Sequence, residues 1–235
     1  MSDMLPAATS VLALHVGRAR ERWEGKPPSA IAKEPVPEAL DLGYEGFSAD
    51  EQADRKVHGG PEKAVHHYPA AHYAWWRERF PDHEDVLRPG GFGENIVADG
   101  LDEDSVCLGD RFRLGRALVE ICQGRQPCWK LAAHTGIAAM AGAMQKSGRT
   151  GWYYRVLEPG SVAAGDEIAI QERPLPDWPL ARIIAARFDP RIDPRLAEEI
   201  AGLAPLSQSW RASFVKKSDA SYAEDTRERL SGPGA

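Results

Sequence analysis

Through the first two thirds of the chain, apolar positions fall in short runs that alternate with polar ones, the period-two pattern of half-buried strands. Residues 11–16, 29–33, 94–97 and 117–122 are the strand candidates. Two longer segments echo each other. Residues 105–114 and 161–170 each carry a Gly-Asp turn, Gly109-Asp110 and Gly165-Asp166, that feeds an alternating strand. Phe112 and Leu114 fall on one face of the first strand, Ile168 and Ile170 on one face of the second. Repeated turn-then-strand units predict a small closed β-barrel, which leaves no exposed sheet edge, and they fit a parallel doubly wound sheet poorly.

The period changes to that of a helix in two places within this region. Residues 69–80 open with proline at a first helical position and stop before Pro81. Their aromatic stripe, with Tyr68, His72, Trp75, Trp76 and Arg79 on related faces, reads as core packing. Residues 136–147 carry Ile137, Met140, Ala141 and Met144 at helical spacing, with Thr135 to cap the start and Gly148 to close the end. Three prolines between 172 and 179 mark a linker. Beyond it, helices are predicted over 180–187, 195–203 and 208–217, with Asp193-Pro194 and Ser207 as start signals. The fold expected is mainly β: a small closed barrel over 10–171 with inserted helices, then a three-helix segment over 178–218. Residues 219–235 are polar and expected to form a flexible tail.

Composition narrows the function. The chain has 235 residues, 43% hydrophobic and 27% charged, with a net charge of -6. An acidic chain whose longest basic run is Lys216-Lys217 does not suit a nucleic-acid polymer. The three-helix segment invites a helix-turn-helix reading, but it mixes acids and bases without a basic face, so a packing or docking module is favoured. The three cysteines form no CxxC pair and no disulfide framework, as in a reducing compartment. Neither a signal-peptide pattern nor an apolar run near the ~18 residues of a membrane span is present, so a cytoplasmic protein without a membrane partner is expected.

The stretch richest in chemistry is Gly124-Arg125-Gln126-Pro127-Cys128-Trp129-Lys130-Leu131. It leaves a strand near Cys122 and precedes the helix at 136, so Cys128 sits on a loop at an element boundary. Arg125 and Lys130 are close in sequence, and cations favour the thiolate, the form that attacks electrophiles and binds soft metals. The spacing is equally compatible with a small buried hydrophobe. Cys107 and Cys122 read as space-filling. A second stretch runs from His58-Gly59-Gly60 through Lys63 to His66-His67. Paired glycines and a lysine there suit either an anion cradle or a plain turn. It is no Walker loop, and its histidine spacing fits a zinc site poorly. A third, Pro89-Gly90-Gly91-Phe92-Gly93-Glu94-Asn95, is a flexible loop offering an acceptor and an amide, or a strained turn. Residues 148–155 read as a helix cap leading into an aromatic strand. No GxSxG motif occurs, and a triad is a matter of geometry that spacing cannot assign.

Taken in order, the segments 52–60, 63–73, 91–96, Gly109-Asp110, 125–131 and 148–160 resemble the MOSC family, named for the C-terminal domain of molybdenum cofactor sulfurases. The resemblance extends over most of 10–171 and is strongest to the stand-alone bacterial branch that includes the 6-hydroxylaminopurine reductase. The helical segment looks like the three-helix domain that accompanies this branch. The resemblance implies a barrel with a cleft for the molybdenum-pterin cofactor, and a metal ligand and catalytic residue at Cys128. By motif position it further implies cofactor binding by His58, Gly59, Gly60, Lys63, Gly91, Gly93, Glu94, Asn95 and Arg125. Two departures stand out. Ser48-Ala49-Asp50-Glu51 replaces a Gly-Asp pair often found ahead of Gln52. Three cysteines in all cannot supply the four-cysteine iron–sulfur cluster that some relatives carry fused, so a separate electron-donor protein or reductant is implied. The activity expected from the resemblance is reduction of small N-hydroxylated compounds, such as hydroxylaminopurine-like bases or amidoximes. A non-catalytic cofactor carrier and persulfide sulfur transfer on Cys128 are the alternatives.

Overall fold

Strands β1 (Thr9–Gly17), β5 (Val65–Pro69), β6 (Ile96–Ala98), β7 (Arg111–Leu114), β8 (Ala117–Gly124), β9 (Trp152–Glu158) and β11 (Glu167–Glu172) close into a seven-stranded barrel. The computed structural model describes residues 8–54 and 59–232. Around the barrel the order is β1-β6-β5-β9-β8-β7-β11, and pairing of Thr9 with Ile168 completes the ring. Every pairing is antiparallel except β5 with β6. The far end of β1 also holds β2 (Lys33–Val36). A small separate sheet joins β10 (Gly160–Val162), β3 (Leu40–Gly43) and β4 (Gly46–Phe47).

The two echoing segments become neighbours. β7 pairs with β11 so that Phe112 faces Ile170 and Leu114 faces Ile168, which places both apolar faces on the barrel core. Gly109 and Gly165 both have left-handed backbones, with φ of 83° and 89°. The following aspartate closes each turn: Asp110 accepts from the Cys107 amide and Asp166 from the Ala163 amide, both at 2.8 Å. One local device thus starts two adjacent strands.

Three local expectations differ from the structure. Residues 29–32 are not a strand; Ser29 makes one bridge to Arg20, and regular pairing starts only at Lys33. Pro69 ends β5 instead of starting a helix, because five consecutive buried residues are held in the barrel as far as the Ala98 pairing. Helix α1 (Ala71–Arg79) therefore begins two residues later and buries His72, Tyr73 and Trp76. The helix expected over 136–147 is shorter, α3 (Met140–Ser147), and an unexpected one, α2 (Trp129–Thr135), precedes it. Gly136, with φ 72°, ends α2, and Thr135 is its last residue, donating to the Leu131 carbonyl at 2.8 Å.

After the proline-rich linker come α4 (Leu180–Phe188), α5 (Pro194–Ala201) and α6 (Gln208–Lys217). Asp193 and Ser207 cap α5 and α6 through their side chains. The helices seat on the end of β8, where the Ser207 amide donates to the Cys122 carbonyl and the Ser209 hydroxyl to Gln123 Oε1. Gly124 lets them come this close: a β-carbon there would stand 2.5 Å from Ile184 Cγ1 and 2.9 Å from Trp210 Cη2. The segment expected to be a loose tail is also docked. It carries α7 (Arg227–Ser231), and Glu224 accepts from Arg187 on two oxygens at 2.7 and 2.9 Å. Charge pairing supplies the hold that its few apolar residues cannot. Among the described residues, no helix is long and apolar enough to cross a membrane.

The two matched turns give a graded test. Asp110 is fully buried and also accepts from Arg173 at 3.0 and 2.7 Å, whereas Asp166 is half-exposed. Asp110→Ala takes the carboxylate from the Arg173 guanidinium, which keeps only the Ser105 carbonyl, and leaves an amide unpaired; it is expected to cost about 3 kcal/mol, against about 1 kcal/mol for Asp166→Ala. Urea denaturation of the two variants checks the order.

Candidate functional site

Strand β8 ends at Gly124, and the chain then runs through Arg125, Gln126 and Pro127 to Cys128, the residue that caps α2. The Arg125 amide donates to the Gly151 carbonyl at 3.1 Å, and the Leu131 amide to the Cys128 carbonyl at 3.0 Å. Cys128 is half-buried and stands where two spaces meet. One is an inner recess of about 90 Å³; the other is an outer cleft of about 550 Å³. Together they reach the ~300–1,000 Å³ of small-molecule sites, which the recess alone does not.

Four cations, Lys33, Lys63, Arg125 and Lys130, line the recess. Lys33 forms a very close ion pair with Asp50, and both side chains are less than one-tenth exposed. Burial pulls the Lys33 pKa down and the Asp50 charge opposes the shift. Asp50 also accepts from the Gly17 amide at 2.6 Å and from Asn95 Nδ2 at 2.8 Å, so its oxygens are fully engaged. Arg125 is buried and donates to the Phe92 carbonyl. Lys130 donates to the Pro28 carbonyl at 3.3 Å. Burial also lowers Lys63, with nearby acids and thiols opposing.

His66 lines the same recess and packs against Tyr153 with ring centroids 4.9 Å apart. Its Nε2 lies 3.1 Å from the Thr150 carbonyl, which can only accept, so this nitrogen carries the proton. Burial, reinforced by the Arg125 charge, holds the ring far below the ordinary histidine range and therefore neutral. Nδ1 is left as a bare lone pair, buried and without a hydrogen-bond partner among the described residues. An orphaned acceptor in a cation-lined recess calls for a ligand with N–H or O–H donors and negative charge.

The chain is similar to known proteins over nearly its whole length. Residues 54–169 match the family model described as the MOSC domain, and residues 178–217 match the YiiM-like 3-alpha helix domain. Protein YiiM of Escherichia coli strain K12 is 38% identical over 219 residues, covering 93% of this chain and 97% of that protein. The chain belongs to the MOSC family. The uncharacterized protein YflK of Bacillus subtilis strain 168 is 41% identical over 218 residues, 89% of this chain and 95% of that one. A Gibberella moniliformis protein named reductase is 35% identical over 187 residues, 77% of this chain but only 33% of its own length. The crystal structure of YiiM from Escherichia coli superposes with a TM-score of 0.81 at 31% identity, covering 97% of this chain and all of that one.

Of the residues expected to form the site of a MOSC protein, Cys128, Lys63, Gly93, Asn95 and Arg125 converge on the recess. Gly60 acts one step back: its carbonyl accepts from the Lys63 amide at 2.9 Å in the turn that presents Lys63. Gly59 does not line either space, and His58 lies outside the described residues. Two expectations need correction. The Glu94 carboxylate is not offered to a ligand; it is fully buried and accepts from the Tyr73 hydroxyl and the Gly90 and Phe92 amides. Gly91 belongs to that same turn, donating to the Arg88 carbonyl at 2.8 Å, and stays outside the recess. Asn95 is present but mostly spent, on Asp50, the His15 carbonyl and the His66 amide. Lys33, Asp50, His66 and Tyr153 were not among the expected site residues. The only hint of Asp50 was the atypical 48–51 segment, and of His66 the histidine cluster.

The other two clustered histidines do not join His66. His72 meets Glu103 at 2.7 Å, while His67 stacks on Trp152 and meets the Tyr154 hydroxyl at 3.1 Å. Burial lowers His67 to about 3. Between the ordinary histidine pKa of about 6.5 and that value the unfolded chain binds a proton that the folded chain refuses, so stability falls as pH drops. His67→Phe is expected to reduce the stability lost between pH 7 and pH 5 by about 2 kcal/mol, read from urea denaturation at the two pH values. Thiol reactivity gives a second test. Cys107 and Cys122 are buried, and burial pushes them up to about 11 and about 12. Iodoacetamide at neutral pH should therefore modify the folded chain once, at Cys128, by peptide mapping; a second native-state modification would contradict this arrangement.

Proposed function

We propose that this MOSC protein binds the molybdenum-pterin cofactor through the Cys128 sulfur and reduces small N-hydroxylated compounds. The observation that carries the reading is the convergence of a soft thiol donor, four cations and His66, whose buried Nδ1 has no partner among the described residues, on two adjoining spaces. Each matches a part of the group: thiolate sulfur suits molybdenum, lysine and arginine suit a phosphate, and a neutral acceptor suits a pterin N–H. Cys128 would hold the metal, Lys63, Arg125 and Lys130 the anionic portion, and His66 the pterin edge. When bound, the cofactor supplies the two-electron chemistry that N–O cleavage requires. The overall change balances as R–NHOH plus two electrons and two protons giving R–NH2 and water.

The chain's own residues provide the rest. Lys63 and Asp54 line both the recess and the cleft, where protons must enter. Trp129, Tyr153, Pro27 and Pro28 give the outer cleft flat apolar walls, which suit a planar heteroaromatic base. A separate protein or small reductant delivers the electrons, since three cysteines are too few for a four-cysteine cluster of the chain's own. The name reductase on a similar fungal protein supports a reductive reaction.

Molybdenum content of the protein from a cofactor-competent host tests the reading, wild type against Cys128→Ala. Near-stoichiometric metal in the wild type, at least tenfold less in the variant, and turnover of an N-hydroxylated base with a chemical reductant are expected. A Cys128→Ala variant that keeps both metal and full rate would overturn it.

A further inference from the structure

The outer cleft has a wall that the barrel does not supply. Glu228 and Arg229, from α7 near the end of the chain, line it together with Cys128. Arg229 makes an unusual set of contacts for a residue in a polar terminal segment. One guanidinium nitrogen donates to the Pro127 carbonyl at 2.7 Å and the other to Gln145 Oε1 of α3 at 2.8 Å. With the Gln126 amide oxygen turned toward the cations, Nε donates to it at 2.9 Å. The Pro127 carbonyl belongs to the peptide whose nitrogen is that of Cys128, so this bond fixes the plane from which the cysteine side chain projects. The guanidinium is only half-exposed, and the Cys128 sulfur is among the groups whose negative charge its field meets.

The segment that carries Arg229 is anchored at both ends of its contact. Upstream, the paired bonds from Arg187 hold Glu224 to α4. Downstream, α7 packs on α2 and Gly232 lies against the Trp129 ring, next to Cys128. A surface arginine with one solvent-facing partner would need no explanation. A forked arginine that joins the cysteine loop and α3, on a strap tied to α4, does.

We propose that the C-terminal segment is a working part of the site, with Arg229 a positioning residue that fixes the Cys128 peptide and turns a positive charge on its sulfur. The inference rests on Cys128 being the working group of the protein. Its consequence is that an anionic ligand or reagent approaching Cys128 through the outer cleft meets a favourable field from Arg229 as well as from Lys63 and Lys130.

The test compares alkylation of Cys128 by iodoacetate, an anion, and by iodoacetamide, its neutral counterpart of similar size, on the full-length chain purified from a molybdenum-free culture. The ratio of the two rates reports the local field. Changes in exposure or thiolate fraction affect both reagents alike and cancel. Arg229→Gln should lower the iodoacetate-to-iodoacetamide ratio about threefold, the effect of one partly screened unit charge, and Arg229→Lys should keep it near wild type. Ending the chain after Ala220 removes the whole strap and should lower the ratio at least as far as Arg229→Gln. A ratio unchanged in Arg229→Gln, or unchanged in the truncated chain, would overturn the proposal. Because no cofactor is involved, this result stands apart from the molybdenum measurement, and either can fail while the other holds.

Discussion

The seam between the three-helix unit and the end of β8 is the contact on which the rest of the site depends. Ser207 and Ser209 bond to Cys122 and Gln123, and Ile184 and Trp210 press onto the bare backbone of Gly124. The next residue is Arg125, and Cys128 follows three positions later. The helices therefore fix where the strand stops and in which direction the cysteine loop departs. Any side chain at Gly124 would push the helices off by more than the packed interior tolerates, and the loop would lose its backing before losing a single ligand-facing residue. Here the helical unit serves as a brace for the barrel's chemistry.

The recess engages its cations with protein groups in different ways, Lys33 with a carboxylate, Arg125 and Lys130 with backbone carbonyls. Lys33 is buried so deeply that only the contact with Asp50 keeps its environment tolerable, and Asp50 in turn holds Asn95 and the Gly17 amide. That cluster ties β1 and β2 to the loop before β6 and forms a rigid floor. Lys63 ends the short Pro61–Lys63 turn and Lys130 lies in the first turn of α2, and both line the recess and the outer cleft. A floor fixed in this way keeps the shape of the recess.

The barrel was readable because its signals are local: an aspartate three residues after the amide it captures, a left-handed glycine before it, and alternation behind it. The ends of α6 were readable for the same reason, with Ser207 reaching the Trp210 amide inside a single turn. Helix α2 was not, since its seven residues, Trp129–Thr135, are too few to show a helical period, and Thr135 read as the cap of the helix after it. Cys128 stood out through its neighbours in sequence. Lys33, Asp50 and His66 could not, because they meet only after β1, β2 and β5 are assembled, and no spacing rule links them. The terminal segment misled by composition: a polar stretch looks loose unless its charges find partners, and Glu224 and Arg229 find theirs in Arg187, Gln145 and a backbone carbonyl.

The ring closes through Thr9 and Ser10 against Ile168 and Glu167, which has a consequence during biosynthesis. Strand β1 cannot obtain its last neighbour until the roughly 150 residues between Ser10 and Ile168 have followed it out of the ribosome. Until then one margin of β1 is open, covered only at its far end where β2 pairs with it. Nascent chains in this interval present an unpaired edge to other chains, a hazard that grows with the delay before long-range pairing. The slow, vulnerable step in making this protein therefore comes late in translation, and crowding or slowed elongation before residue 168 should harm its yield more than comparable stress during synthesis of the helical segment.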